Sequence, residues 1–185
     1  MAVKFHLEDG IVTDIIALPI PHFVARHPGE VFELLTVSMT DAATGNQDLE
    51  KVQRFFKEHP WLLPAFQAAM STPASASFAQ TPYHPLHAFR FRNRAGESVC
   101  GRYHWMPVAG AASQSVEQLQ LQSPTYLFEE LEERLRKTPV YFNLVLQLAA
   151  DGDPTDDPWP EGRTRVKLGS LEMHRPTWLE EIGDP

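Results

Sequence analysis

An α+β fold whose antiparallel sheet curls into a barrel is the class this sequence predicts, and three observations predict it. The elements are segregated along the chain: strands, helices, hairpin, helices, strand, loop, strand. The stretch FRFRNRAGESVCGRYHWMP, Phe89 to Pro107, alternates apolar and charged residues, breaks at Ala95-Gly96 and alternates again, which is the pattern of two strands joined by a turn. A second Asp-Gly turn signal near the N-terminus sits between two alternating runs of its own.

Each element has its own reason. Val3–Leu7 and Val12–Leu18 flank Glu8-Asp9-Gly10 as a hairpin. Met1 is followed at once by residues that already alternate as a strand does. Pro19 and Pro21 interrupt the pattern, and His22 to Ala25 read as strand continuing past a bulge or kink. From Gly29, the spacing of Val31, Leu34 and Leu35 is helical, and Thr40–Asn46 is a loop. Asp48 to His59 places Leu49, Val52, Phe55 and Phe56 on one helical stripe that Pro60 stops, and Trp61 to Met70 continues as a second short helix. The Ser-, Ala- and Pro-rich stretch Ser71 to Pro85 is expected as a loop across the surface. After the hairpin, Ser123 as N-cap and Pro124 in the first turn open a helix with Leu127, Leu131 and Leu135 on one face. Arg134, Arg136 and Lys137 suit its negative dipole end. Val140–Leu148 and Thr164–Met173 are strands, joined by the loop DGDPTDDPWPEGR.

Composition bounds the function. At 185 residues, 43% hydrophobic and 22% charged, the chain fits one globular domain with a real core. A formal net charge of −8 argues against nucleic acid, since phosphate binding needs clustered Lys and Arg. The single cysteine, Cys100, excludes an intrachain disulfide and CxxC metal sites. No apolar run approaches the roughly 20 residues of a membrane span, so a cytoplasmic protein with no membrane partner is expected.

Four stretches resemble the catalase superfamily, and especially its smaller branch of catalase-related heme peroxidases. They are Met1-Ala-Val-Lys-Phe-His, then Pro21-His-Phe-Val-Ala-Arg with Pro28, and then His87-Ala-Phe-Arg-Phe-Arg-Asn-Arg-Ala-Gly-Glu-Ser-Val. The fourth is Gly152-Asp-Pro-Thr-Asp-Asp-Pro-Trp-Pro, running into Val166-Lys-Leu-Gly-Ser-Leu. The resemblance covers almost the whole chain. It implies one domain, 1–185, an antiparallel β-barrel of the catalase type with helical insertions, and heme b in an internal pocket. It also implies hydrogen peroxide as substrate and a small organic reductant.

By that resemblance Ile16, Ala17 and Leu18 flank the heme, with Phe23 and Val31 as further lining. The family's distal histidine lies on a strand before the segment matching Met1, and its proximal Arg-x-x-x-Tyr lies on a helix after the last strand. The barrel is therefore expected to be incomplete, and no catalytic or metal-ligating residue is assigned within this chain. None of Tyr83, Tyr103, Tyr126 and Tyr141 has an arginine four residues earlier on a helix. Leu18 falls where large catalases place a distal asparagine and Val31 where they place an aromatic, which favours the peroxidase branch. Their nucleotide-binding Trp-Pro-His reads Trp159-Pro160-Glu161 here, so no NADPH is expected.

The remaining motifs have plainer readings. The four hairpin arginines are expected on a solvated strand face, Cys100 as a buried inert thiol, and His104 as a strand residue with a satisfied ring. His84 and His87 flank Pro85 in a loop rather than on a helix, which argues against a metal pair. His22 alternates away from Phe23, which argues against its replacing the distal base. Asp151–Asp157 lacks an EF-hand's spaced acceptors and is a rigid crossing loop. An unpaired edge at Val3–Leu7 predicts a homo-oligomer. Two other readings stay open: a degenerate barrel serving as a structural or interaction module, and a carrier of an apolar ligand.

Overall fold

The computed structural model describes residues 1–23, 25, 27–40, 46, 48–155 and 157–175. These form two compact units. The first comprises Met1–Pro21, Pro73–Thr155 and the chain from Trp159 onward; the second is built on His22–Thr72.

The first unit is the sheet. Strands β1 (Ala2–His6) and β2 (Val12–Ile16) form an antiparallel hairpin. Gly10 takes φ 79 in its turn and donates its N–H to the Leu7 carbonyl at 3.0 Å, a backbone conformation that disfavours side chains. Residues Ala74–Ser75 (β3) later pair with Ser113–Gln114 (β6). Strands β4 (Phe89–Arg92) and β5 (Ser98–Pro107) are the quoted hairpin, with Gly96 at φ 86 in its turn. Strands β7 (Val140–Leu148) and β8 (Arg165–Met173) complete a sheet of order β4-β5-β7-β8.

Two short bridges join the hairpin to this sheet. Leu18 and His84 exchange backbone hydrogen bonds of 3.1 and 2.7 Å, and Tyr83 and Trp105 exchange bonds of 2.9 and 2.8 Å. The ladder thus steps from β1 to β2, through Tyr83-His84, to β5, β7 and β8. Among the described residues it does not close: they form three separate sheets, and the outer edges of β1 and β8 carry no ladder partner. The fold class is antiparallel α+β, and in place of a closed barrel the described residues form partial sheets, as an incomplete barrel implies.

One face of the ladder is the core. Ala17, Ala79, Tyr83, Trp105, Val140 and Phe142 are buried together, and Val3, Phe5, Ile15, Leu131 and Leu135 pack on them. Phe5 stacks on Trp105 at 6.3 Å. Helix α5 (Tyr126–Lys137), preceded in this unit by α4 (Val116–Gln120), supplies the leucine stripe. Its N-cap is Thr125 rather than the predicted Ser123, whose hydroxyl instead donates to Glu129 at 3.0 Å. The sequence also carries a capping box that opens α4: Ser115 and Gln118 bond reciprocally at 2.9 and 3.2 Å.

The largest correction concerns Ser71 to Pro85. Instead of lying across the surface, its alternate residues Ser77, Ala79, Thr81 and Tyr83 are buried. A period of two runs through this stretch, obscured by its prolines. Its polar groups are satisfied locally: Thr81 Oγ1 donates to the Ser77 carbonyl at 2.8 Å, and Tyr83 Oη to that of Phe78 at 3.0 Å. A buried loop is tolerable when its polar groups are paired this way.

Helices make the second unit. They are α1 (Pro28–Ser38), α2 (Leu49–Glu58) and α3 (Leu63–Ser71), the last two joined by a 3₁₀ turn at Pro60–Leu62. Asp48 caps α2 by accepting from Lys51 N at 3.1 Å. Glu30, 2% exposed, accepts from Trp61 Nε1 at 3.0 Å, and His27 caps the same helix through Glu30 N. Trp61 itself is 41% exposed. His22, Phe23 and Ala25 lie in no strand, against the expectation for His22–Ala25; Val24, most of the Thr40–Asn46 loop and the segment after Arg175 lie outside the described residues.

Candidate functional site

Residues alternate faces along a strand, so one face of the ladder cannot hold both Ile16 and Ala17. Ala17 turns into the core at 2% exposure, whereas Ile16 and Leu18 point the other way and are 71% and 39% exposed. Phe23 is half-buried in the second unit, and Val31 is 36% exposed on α1.

Ile16 and Leu18 form one wall of a cavity of about 390 Å³. Its other walls come from Asp14, Ile15 and the segment His84, Pro85, Leu86, His87 and Phe89. This volume lies within the range of small-molecule sites, and so does the mix of apolar walls with few polar groups. Sequence reasoning placed only β2 here; the bridge Leu18↔His84 brings the second wall. That pairing was hidden because Pro82 and Pro85 break any readable strand pattern around His84. A larger cavity of about 550 Å³ lies on the core face, among Met1, Phe78, Leu127, Leu131, Phe142 and others. Its phenol, Tyr83, is already spent on the Phe78 carbonyl.

Behind the smaller cavity runs a chain of side-chain hydrogen bonds, and one backbone carbonyl fixes the position of every proton in it. Gln147 Nε2 donates to the Pro160 carbonyl at 3.0 Å, so Gln147 Oε1 faces His104 and accepts from His104 Nε2 at 3.1 Å. A neutral His104 then has an acceptor at Nδ1, which lies 2.9 Å from His84 Nδ1. His84 must therefore carry its proton on Nδ1, which leaves an acceptor lone pair on Nε2. Among the described residues nothing hydrogen-bonds that Nε2.

Burial keeps both rings neutral. Desolvation, with His104 and Arg165 nearby, lowers the His84 pKa from its ordinary value to about 4. Desolvation also lowers that of His104, against the opposing effect of the hydrogen bond it donates to Gln147.

The layer beneath is packed, not solvated. Arg102, expected on an outer face, is 5% exposed. Its guanidinium lies 4.4 Å from the centre of the Trp159 ring and donates to the Pro154 and Thr155 carbonyls at 3.2 and 2.6 Å. Arg90, Arg92 and Arg94 are exposed as expected. Cys100 is exposed too, which corrects the buried-thiol reading. The crossing loop is pinned by Asp153, which takes both Arg163 Nε and Nη2 at 2.8 and 2.7 Å. Among the described residues no group of histidines, cysteines and carboxylates could hold a metal ion, and no helix is long and apolar enough to cross a membrane.

The model of the family described as Catalase matches residues 1–154. The chain belongs to the catalase family. Within that family it is 30% identical over 178 residues to a catalase-related peroxidase of Synechococcus elongatus, covering 94% of this chain and 52% of that protein. To a catalase-related peroxidase of Mycolicibacterium paratuberculosis it is 35% identical over 189 residues, covering 99% and 58%. The chain thus spans little more than half the length of these relatives. Its fold matches a bacterial catalase with a TM-score of 0.77 at 18% identity, covering 94% of this chain and 37% of the other. A fungal catalase matches at 0.76 and 19%, covering 94% and 38%. The resemblance read from four motifs therefore holds, and among catalase-family proteins this one is most like the peroxidase branch in sequence.

Proposed function

We propose that this protein is part of a heme-dependent peroxidase that acts on hydrogen peroxide with a small organic reductant. The observation that carries the reading is the cavity on β2: an apolar wall of Ile16, Leu18, Leu86 and Phe89, with one imidazole whose Nε2 is an acceptor. That lining fits heme b. Branched and aromatic side chains suit the macrocycle's face, and Asp14 and His87 also line the cavity. When bound, heme supplies the iron at which a peroxide O–O bond can be broken. Ile16 and Leu18 would lie against it, and Ala17 would set the spacing between them. Leu18 cannot hydrogen-bond a peroxide, so this wall excludes water rather than binding substrate.

Two further parts of the reading have their own support. Among the described residues the outer edge of β1 has no ladder partner, which favours strand pairing with a second copy. Cys100 is exposed and unpaired, which suits a reducing compartment such as the cytoplasm.

A second reading, a heme-free structural or interaction module, is favoured by the tyrosines. The hydroxyls of Tyr83, Tyr126 and Tyr141 donate to Phe78 O, Ser75 O and Glu172 Oε1, and Tyr103 packs against Phe89 and Phe91. Titration with hemin decides between the two. The first reading expects saturable uptake with a Soret band that responds to peroxide; a colourless protein that takes up no hemin overturns it.

A further inference from the structure

We infer that His84 Nε2 is the proton-accepting atom of the β2 cavity, and that it acts as base toward a protic small molecule bound against Ile16 and Leu18. Under the reading proposed above, on which this inference rests, that molecule is hydrogen peroxide.

Position comes first. Leu18 and His84 are directly opposite in an antiparallel bridge, so their side chains leave the same face and both line the cavity. Ile16 and Leu18, the side chains across from His84, offer a protic ligand no acceptor. Asp14 and His87 also line the cavity, but both are exposed. His84 is set further in.

Orientation comes second. A base works best when a third group holds it in one tautomer, and here the Pro160 carbonyl does so through Gln147 and His104. His104 and Gln147 are positioning residues; His84 is the group that meets the ligand. The proton balance is simple. The ligand's O–H bond breaks, an Nε2–H bond forms, and the electron pair stays on the hydroperoxide anion. The imidazolium still donates from Nδ1 to His104, so no bond behind it rearranges, and Nε2–H can return the proton to an oxygen of the ligand.

The test uses cyanide on the hemin-loaded protein, because hydrogen cyanide must lose a proton as it binds. Stopped-flow association should slow by at least about 100-fold in H84A and in the near-isosteric H84Q. Both variants should still take up hemin with the Soret band in its place, and added imidazole should restore part of the rate in H84A. Normal hemin uptake with unchanged cyanide rates in both variants overturns the base alone. A Soret band shifted in both variants also overturns it, by making His84 an iron ligand. Failure of the unaltered chain to take up hemin removes the heme reading and this base with it. Nitrogen-15 NMR of the unloaded protein gives an independent readout. A proton on His84 Nδ1 is expected, and one on Nε2 is incompatible with the inference.

Discussion

The same strands carry two faces that differ in almost everything except their backbone. On one, Ala17, Tyr83 and Trp105 are at most 6% exposed and sit in a closed cluster with Phe142. On the other, one residue out of step, Ile16 and Leu18 stand 71% and 39% exposed beside a half-buried histidine. The first face is filled by elements of its own chain, chiefly α5 and β1. The second is just as apolar along β2, yet it ends in a cavity. An apolar face left open on strands that are otherwise well packed is where a ligand is expected. The two faces should therefore respond to substitution in opposite ways.

The largest effect belongs to the filled face. Trp105 is 1% exposed and stacked by Phe5, so Trp105→Ala should destabilise the fold by about 3–5 kcal/mol. Its indole Nε1 is buried with no hydrogen-bond partner among the described residues, and such an orphan donor is itself unfavourable. Trp105→Phe removes the orphan while keeping most of the ring, and should cost well under half as much. Urea unfolding of both variants checks this; equal losses would mean that the indole is not part of a sealed core.

A smaller effect should appear where the open face meets its buried histidines. In the unfolded chain His84 titrates near 6.5, and in the fold near 4. As pH falls from about 6.5 toward 4 the unfolded state binds the proton first, so stability drops through that window and levels off below it. Above 6.5 the contribution is fully present. His104 is lowered too and acts in the same direction. For His84 the loss is on the order of 2 kcal/mol. Carboxylates titrate in part of the same window, so the readout is the difference between the unaltered protein and H84Q, whose midpoint should depend less on pH. Parallel curves would mean that His84 titrates alike in the folded and unfolded chain.

This contrast was only half legible in the sequence. Strand β7 was predicted at Val140–Leu148 and found there, because nine residues with every second one apolar leave a single reading. Ile16 and Leu18 were singled out through family likeness, and alternation then sets them on one face. His84 was not found. Its partners His104, Gln147 and Pro160 are 20 to 76 residues away in the chain, and only the bridges Leu18↔His84 and Tyr83↔Trp105 bring them together. Arg102 failed for a related reason. Alternation gives the face of a residue but not what covers that face, and a Trp159-bearing loop from fifty residues downstream does so here. Barrel closure is also a long-range property, and no local pattern in β1 or β8 reports what lies beyond their outer edges.

The smallest effect on stability should be paired with a clear effect on binding, and Ile16→Ser is the change that separates the two. At 71% exposure, Ile16 has little apolar contact to lose in the unloaded fold, so the substitution should shift stability by no more than about 0.5 kcal/mol. In a loaded cavity the same side chain would be covered. Covering an isoleucine is worth about 1.5–3 kcal/mol, which corresponds to roughly a tenfold or greater loss of hemin affinity. An equivalent serine at Ala17, on the filled face, reverses the pattern: it puts a hydroxyl into a core position that is 2% exposed, costing stability through an unpaired polar group while leaving the cavity wall intact. Measuring unfolding midpoints and hemin titrations for this pair tests whether the two faces differ as described. If Ile16→Ser destabilises the unloaded chain as much as Ala17→Ser, the β2 wall is already covered by protein and the cavity is not a binding site.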